Sequence, residues 1–204
     1  MASHSDKNHL QGSIMLRPSY YDLLGLEQGR LSYSSLEMGT LELGFNNSKL
    51  FLKRLDFVNI FTLSPSKTSL QSEKTMAWKM KLSLENTNDD CLECVMIVNN
   101  MGIGKSTTIT NSVFYGLAEL QLQSRASSRD YFSTSARLGV LFNASENWKS
   151  NLEILQPISG WNDDKTELLW QNRFGSSYSQ DWRLNIHLNN KEHKFEIGYS
   201  YYWQ

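Results

Sequence analysis

Strict alternation of apolar and polar residues over the last stretch of the chain, from Trp182 to Trp203, is the sequence feature that most constrains its fold. A polar turn at 189–192 divides this stretch into two halves. Because successive side chains of a strand point to opposite faces, a period of two predicts a two-faced antiparallel hairpin. Strands of about ten residues that alternate in this way and end in aromatic residues are typical of outer-membrane β-barrels.

Further runs with strand character are spread along the chain, separated by segments rich in Ser, Asn, Asp and Gly. They lie at Ser13–Arg17, Gly29–Phe45, Leu50–Phe61, Met76–Glu85, Cys91–Asn99, Thr107–Gln123, Tyr131–Asn143, Trp148–Gln156 and Thr166–Phe174. Turn signals at nearly regular spacing predict an antiparallel meander without long helices. Phase changes within Gly29–Phe45 predict β-bulges, and Tyr20–Gly25 is expected to form a turn or a short helical loop.

We therefore predict an all-β chain, an antiparallel up-and-down β-barrel of about 10–12 strands. The runs number about eleven, and because bacterial single-chain barrels have even strand numbers, ten or twelve are expected. Residues 1–9 are expected to form a linker, and residues 10–204 a single barrel domain. Closure of the barrel would place Ser13–Arg17 beside Phe195–Trp203, because an open sheet edge in hydrocarbon leaves backbone groups unsatisfied.

Composition narrows the classes of function. The 204 residues include 20 Lys or Arg and 21 Asp or Glu, so the chain lacks the basic surplus of a nucleic-acid-binding protein. No apolar run reaches the roughly 18 residues of a transmembrane helix. The start of the chain, from Met1 to Gln11, is polar and is not expected to act as a signal peptide. An exported chain of this sequence is therefore expected to begin after its targeting segment.

The direction of the apolar face separates a membrane barrel from a soluble one. Polar faces of the later strands mix Ser, Asn, Gln and Gly with charges of both signs, which can pair inside a closed lumen. The candidates for lumen-facing polar residues are Arg137, Glu153, Glu167, Arg173, Arg183 and His187. Large aromatics near strand ends favour the headgroup level of a bilayer, and the candidates for this interface are Trp78, Trp148, Trp182, Tyr201 and Trp203. We therefore predict the membrane type of barrel.

The segment Asn99–Thr107 contains a Gly-Lys-Ser sequence, so a phosphate-binding loop has to be considered. That motif requires a glycine where Asn99 stands, and a helix after the Ser whose N-terminus would bind phosphate. The residues that follow, beginning with Thr107, are β-branched and favour a strand. We interpret the segment as a Gly-rich hairpin turn and expect no bound nucleotide.

Two other patterns suggest chemistry. Cys91 and Cys94 form a C-x-x-C, but no second pair and no nearby His completes a metal site. Incidental thiols are expected there, although a turn or bulge at this point would allow a local disulfide. His187 lies on a polar strand face with Arg183 and Asn185, and no Ser motif accompanies it. We interpret it as a hydrogen-bonded lumen residue and expect no metal and no cofactor.

Three sequence strings carry a family resemblance: Leu16–Leu24 (LRPSYYDLL) followed by Gly29, Leu50–Ile60 (LFLKRLDFVNI) running into Leu63–Pro65, and Trp78 in an alternating strand. Together they resemble the C-terminal β-barrel domain of a family of Gram-negative envelope proteins. Members of that family carry an Lnb-type periplasmic domain ahead of the barrel, which is lipoprotein N-acyltransferase-like with a catalytic Cys. The chain departs from the family pattern at Tyr21, where His is usual, and at Gln204, where an aromatic is usual.

The resemblance implies an outer-membrane β-barrel that anchors a periplasmic catalytic domain outside these 204 residues, with no catalysis of its own. Neither Cys91 nor Cys94 matches the catalytic motif of that domain. The implied partners are outer-membrane lipid and the covalently linked upstream domain, with no nucleic acid and no nucleotide, and the implied location is the bacterial outer membrane. Two alternatives stay open: a soluble antiparallel barrel that binds a lipid or another hydrophobic ligand, and a barrel enzyme that acts on lipids.

Overall fold

Extended strands dominate the structure, a computed structural model that describes residues 12–16, 19–21, 23–24, 33–46, 49–64, 76–86, 95–124, 131–145, 147–160, 166–177, 180–189 and 193–201. The strands are β1 (Gly12–Leu16), β2 (Ser19–Tyr21), β3 (Ser34–Asn46), β4 (Lys49–Leu63), β5 (Met76–Asn86), β6 (Val95–Ile109), β7 (Ser112–Gln123), β8 (Phe132–Ser145), β9 (Trp148–Gly160), β10 (Glu167–Ser177), β11 (Gln180–Asn189) and β12 (His193–Tyr201). The described part of the chain contains no helix long and apolar enough to cross a membrane.

Ten strands, from β3 to β12, pair antiparallel with their neighbours in chain order and form an up-and-down meander. The two short strands β1 and β2 both pair with β3, opposite 41–45 and 36–38 respectively. They therefore lie end to end along the free edge of β3. Pro18 stands in the sequence between them, and a proline has no backbone N–H to donate to a ladder. The predicted all-β, antiparallel up-and-down fold is confirmed.

Strands near the two ends of the sheet line one cavity, which shows that the sheet is curled. Met15 of β1 and His187 of β11 both face this cavity, together with residues of the strands between them. β1 and β12 run in the same direction, since β1 is one antiparallel step from β3 and β12 is nine steps from it. Among the described residues no ladder joins β1 to β12. The predicted closure of the barrel at this seam, the gap between β1 and β12, stays a prediction.

The two ends of the curled sheet differ in their interiors. We call end A the end at which β4 finishes at Leu63, and end B the end at which β3 finishes at Asn46. A buried apolar cluster fills the interior at end A, formed by Leu24, Phe61, Leu63, Ala77, Val113, Tyr115, Leu117 and Leu141, with Leu23 and Tyr33 packed against it. Leu23 and Leu24 lie in a turn between β2 and β3, and the amide of Leu63 donates to the carbonyl of Tyr33 at 2.8 Å. Described parts of the connection between β2 and β3 thus help to close the interior at end A.

β3 and β4 share a kink where Gly39 faces Phe57. Gly39 has a φ of 67°, a left-handed conformation that glycine adopts without a Cβ penalty. Glu37 and Glu42 both line the cavity although five positions separate them, so the alternation changes phase in between. The predicted phase change is therefore present in β3, and the register of β4 shifts as well, at Lys53 and Phe57.

One prediction of local structure is wrong, and another is confirmed only in part. The Gly-Lys-Ser segment is not a turn, because β6 runs without interruption through it and the turn comes later, at Thr110 and Asn111. Its glycines serve close packing instead, since a Cβ at Gly104 would lie 1.8 Å from the carbonyl oxygen of Gly116 on β7. The prediction of a turn or helical loop at Tyr20–Gly25 is confirmed for Leu23 and Leu24, which lie in a turn, but Tyr20 and Tyr21 belong to β2 because they extend the ladder along β3. Cys91 and Cys94 lie outside the described residues.

Candidate functional site

Polar and apolar side chains are distributed in the opposite way to that of a soluble protein. On the outward face, away from the cavity, Leu138 and Ile103 are both 63% exposed. On the inward face Arg173 is 2% exposed and Asp56 is 0% exposed. Charged residues are rarely fully buried unless they are paired, and large apolar surfaces mark contacts with membranes or other proteins. The function of the chain must be compatible with apolar side chains on its outward face and charged side chains on its inward face.

Aromatic and large aliphatic residues mark the height of the outward apolar surface. On β8, Phe132 and Phe142 are both exposed, with Leu138 between them. Ten residues at ~3.3 Å each, tilted by about 45°, rise roughly 23 Å. On β9, the exposed residues Trp148 and Ile158 are as far apart along the strand as Phe132 and Phe142 are on β8. The apolar surface is therefore about as tall as the ~25 Å band of membrane barrels.

Four aromatic residues form a row across neighbouring strands on the outward face at end A. The ladders place them in the order Trp148, Phe174, Trp182, Tyr199. The rings of Trp148 and Phe174 are stacked with centroids 6.0 Å apart, and those of Trp182 and Tyr199 are tilted at 5.1 Å. These are geometries of favourable aromatic pairs. We call this set the aromatic row.

The five aromatic residues predicted to lie at a membrane interface occupy different positions in the structure. Trp148 and Trp182 belong to the aromatic row. Trp78 is the third residue of β5, half-buried and near end A, with the exposed Met76 and Met80 on the same face. Tyr201 is the last residue of β12, and its side chain is not described. Trp203 lies outside the described residues.

A network of buried ion pairs crosses the interior from β5 to β9. Arg137 on β8 donates to Glu119 on β7 and to Glu153 on β9. The ammonium nitrogen of Lys79 lies 3.5 Å from Glu119, and the amide of Asn100 donates to the same carboxylate at 3.2 Å. Buried charges are tolerated when they are paired and hydrogen-bonded. Two carboxylates and two cations meet here, so the core of the network is neutral.

Two glycines let side chains of this network reach across an intervening strand. Gly102 stands between Lys79 and Glu119 in the ladders, and Gly139 stands between Tyr115 and Glu153. A Cβ at Gly102 would lie 3.1 Å from Cγ of Glu119. The hydroxyl of Tyr115 passes over Gly139 and donates to Glu153 at 2.6 Å. A Cβ at Gly139 would therefore clash with the ring of Tyr115, and a Cβ at Gly102 would be tightly packed against Glu119, so glycine is favoured at both positions.

A second network lies on β3, β4 and β5. Arg54 lies 3.5 Å from Glu42 and 3.4 Å from Asp56. Lys81 lies 3.6 Å from Asp56 and 2.5 Å from Glu85. The buried Asp56 carboxylate therefore has a cation on each side, and the charges alternate in sign along the inward face.

The two networks line a cavity of about 410 Å³. Its lining contains four acidic and four basic residues: Glu37, Glu42, Glu153, Glu167, Arg54, Lys79, Lys81 and Arg137. His187 also lines it, with its Nε2 at 3.3 Å from the carboxylate of Glu167. Three apolar residues, Met15, Leu155 and Leu169, complete one part of the wall. The cavity is thus polar and balanced in charge.

Four of the six predicted lumen residues, namely Arg137, Glu153, Glu167 and His187, line this cavity. Arg173 and Arg183 are direct cross-strand neighbours on β10 and β11, on the same inward face but closer to end A. Sequence reasoning did not single out Glu119, Lys79 or Tyr115. Lys79 occupies a polar position of the alternating run Met76–Glu85, whereas the roles of Glu119 and Tyr115 depend on the register of β7 with its neighbours.

The chemistry available to this site is limited. In the described ranges, no group of three or more His, Cys, Asp or Glu residues is placed to hold a metal ion. The described residues that line the cavity include no Ser, Thr or Cys that His187 could activate as a nucleophile. Ion pairing and hydrogen bonding are what this arrangement of side chains can provide.

Comparison with known proteins gives a family and no further relatives. The family described as a domain of unknown function, DUF7840, matches residues 1–203. Searches of curated proteins and of solved structures returned no match.

Proposed function

The chain belongs to the DUF7840 family of domains of unknown function, and we propose that it is a membrane-spanning β-barrel that anchors a protein in the outer membrane of Gram-negative bacteria. The inverted distribution of side chains is the observation that carries this proposal. Residues such as Ile97, Leu120 and Ile154 are exposed on the outward face, whereas charged residues such as Arg137 and Glu153 point inward. Each such apolar side chain gains about 1.5–3 kcal/mol when it leaves water.

Backbone geometry supports the same proposal. Only helices and closed barrels satisfy every backbone hydrogen bond inside a bilayer. The ten-strand meander satisfies the backbone groups of its inner strands through ladders, and the curl brings its two edges toward one another. The apolar surface of roughly 23 Å and the aromatic row at end A match the band and girdle of such barrels.

The alternative of a soluble barrel with a hydrophobic ligand receives less support. Such a barrel holds its ligand in an apolar interior. Here eight charged residues line the cavity, and the apolar residues at end A are packed against one another. The alternative of a barrel enzyme is likewise not favoured by any arrangement at His187.

An anchor fits the interior better than an open pore. The apolar cluster around Leu24 fills the interior at end A, and ion pairs such as Arg137 with Glu119 cross the middle. A water-filled channel would require both to open. The proposed role as anchor of a catalytic domain follows from the resemblance carried by Leu16–Leu24 and Leu50–Ile60.

Refolding of the 204-residue chain with and without phospholipid vesicles tests the proposal. We expect strand circular dichroism and resistance to protease with vesicles or detergent, and aggregation in buffer alone. Planar bilayers that contain the folded chain should show no steady conductance. A monodisperse, folded chain in detergent-free buffer would overturn the membrane assignment, and a stable conductance would overturn the closed interior.

A further inference from the structure

Two polar residues, Ser150 and Asn172, interrupt the outward apolar surface. They are cross-strand neighbours on β9 and β10. Their strands place them on the outward face, because Glu153 on β9 and Gln171 on β10 point to the cavity. Nevertheless both are buried, with Asn172 only 2% exposed. Something on the outward face therefore covers them.

The cover is aromatic and hydrogen-bonded to them. The indole N–H of Trp170 donates to the hydroxyl of Ser150 at 2.9 Å. The indole N–H of Trp148 donates to Oδ1 of Asn172 at 3.5 Å, the limit of a hydrogen bond. Phe174 stacks on Trp148 and completes the cover. We call this group of Ser150, Asn172, Trp148 and Trp170 the polar notch.

The polar notch has donors to offer. An indole N–H can only donate a hydrogen bond, so the atom of Asn172 that faces Trp148 must be the amide oxygen, Oδ1. The other terminal atom of the Asn172 amide is therefore the donor Nδ2. Nδ2 of Asn172 is buried and makes no hydrogen bond. The hydroxyl of Ser150 accepts from Trp170 and keeps its own O–H for donation. A buried donor without an acceptor is unfavourable, so the notch is suited to a ligand that brings an acceptor and no donor.

The depth of the notch narrows the choice of ligand. Ser150 and Asn172 lie two positions from Trp148 and Phe174 along their strands, on the side toward the middle of the apolar surface. Two residues at ~3.3 Å, tilted by about 45°, place the notch roughly 5 Å deeper than the aromatic row. If the aromatic row lies at the headgroup level, the notch lies at the level of the acyl ester groups. An ester carbonyl is an acceptor without a donor.

We propose that the polar notch binds the acyl ester carbonyl of a membrane lipid through Nδ2 of Asn172 and the hydroxyl of Ser150. The site rests on the proposed membrane-spanning function. Trp148 is 44% exposed and is held over the notch by a long hydrogen bond and by its stacking on Phe174, so its ring can turn aside to admit the lipid. Two kinds of lipid supply the same ester: a glycerophospholipid and an acylated saccharide lipid.

Ester lipids and their ether analogues, which lack the carbonyl, test the site. The folded chain in detergent is titrated with diester or diether phosphatidylethanolamine, and bound lipid is counted by native mass spectrometry. The wild-type chain should retain the diester lipid about fivefold better, the ratio that corresponds to about 1 kcal/mol for one neutral hydrogen bond. The Asn172→Leu variant should retain both lipids equally, and Ser150→Ala should reduce the ratio.

Asn99→Leu is the matched control, because Asn99 is also an outward asparagine, on β6, with Leu82 and Leu122 as ladder partners. Its buried unpaired atom is the acceptor Oδ1, which an ester carbonyl cannot satisfy, so this variant should keep the ester preference. Equal retention of ester and ether by the wild-type chain, or an ester preference that persists in Asn172→Leu, would overturn the proposal. A parallel titration with an acylated disaccharide shows whether the glycerophospholipid or the acylated saccharide lipid binds better. If the chain folds without detergent, the membrane assignment fails instead, so the two failures are distinguishable.

Discussion

The ring of Tyr115 lies over Gly139, so closely that a Cβ at Gly139 would come within 2.2 Å of Cζ of the tyrosine. This contact carries the hydroxyl of Tyr115 to Glu153, one strand beyond Gly139. Because Gly139 on β8 has no side chain, Tyr115 on β7 can reach across β8 to Glu153 on β9.

Replacing Gly139 by alanine should lower the free energy of unfolding by roughly 1–3 kcal/mol, because the new methyl group must displace the buried ring of Tyr115. Denaturant unfolding in detergent micelles measures the change. Gly116→Ala is the matched control on the neighbouring strand, since a Cβ there would meet the flexible end of Leu138 at 3.2 Å. Equal costs for the two variants would show that Tyr115 does not depend on the space above Gly139.

The ion-pair network predicts a large effect at Arg137. Arg137→Met keeps most of the length of the side chain but leaves Glu119 and Glu153 buried with one cation fewer, so unfolding should become easier by about 3–5 kcal/mol. Adding Glu153→Gln to this variant restores the balance of charge, because Lys79 still pairs with Glu119, and should recover much of the loss. The same denaturation experiment applies. If Arg137→Met alone were as stable as the double variant, the view that paired charges hold the interior would be contradicted.

The two faces of β11 should respond differently to substitution. Ile186→Arg puts a charge on the face opposite to the cavity and should cost about 2–4 kcal/mol of folding free energy near the bilayer midplane. Asn185→Ser, on the neighbouring cavity-lining position, should change it by less than about 1 kcal/mol. Folding into liposomes measures both. Equal tolerance of the two substitutions would argue against a lipid-facing Ile186.

Closure of the seam is tested by cysteine pairs. A cysteine at Met15, combined in turn with one at Gly198, Tyr199 or Ser200, should form a disulfide in the folded chain in at least one pair. The pair of Ile14 and Leu43, which are ladder partners, serves as the positive control. If that control cross-links and none of the seam pairs does, β12 does not close on β1.

Alternation in the sequence was sufficient to predict the strands that it governs directly. In Met76–Glu85 the polar residues face in and the large apolar residues face out, with Ala77 in the interior cluster as the exception, so β5 could be located to within about a residue. The same parity gave Arg137, Glu153, Glu167 and His187 as a group. The position of a residue in the alternation predicts which face of the sheet it occupies. For these four residues, the inward face is also the face that lines the cavity.

What the sequence could not provide is the register between strands. Glu119 meets Lys79 only because Gly102 stands between them in the ladders, a relation set by strand pairing rather than by local pattern. The Gly-Lys-Ser segment was misjudged for a related reason. Glycines usually signal turns, whereas Gly104 is required inside β6 by the approach of Gly116. Leu24 was equally out of reach, because its burial depends on the curl of the whole sheet.

Spin labels scanned along β8 and β9 in liposomes test the central claim most directly. Outward labels at Leu138, Val140 and Ile154 should collide readily with oxygen, which concentrates in lipid, and hardly with a water-soluble nickel chelate. Inward labels at Ser135 and Leu155 should be shielded from oxygen. A period-two oscillation of oxygen accessibility is the result that the membrane-spanning barrel predicts. Outward labels that collide with the nickel chelate as freely as a label in water would contradict it.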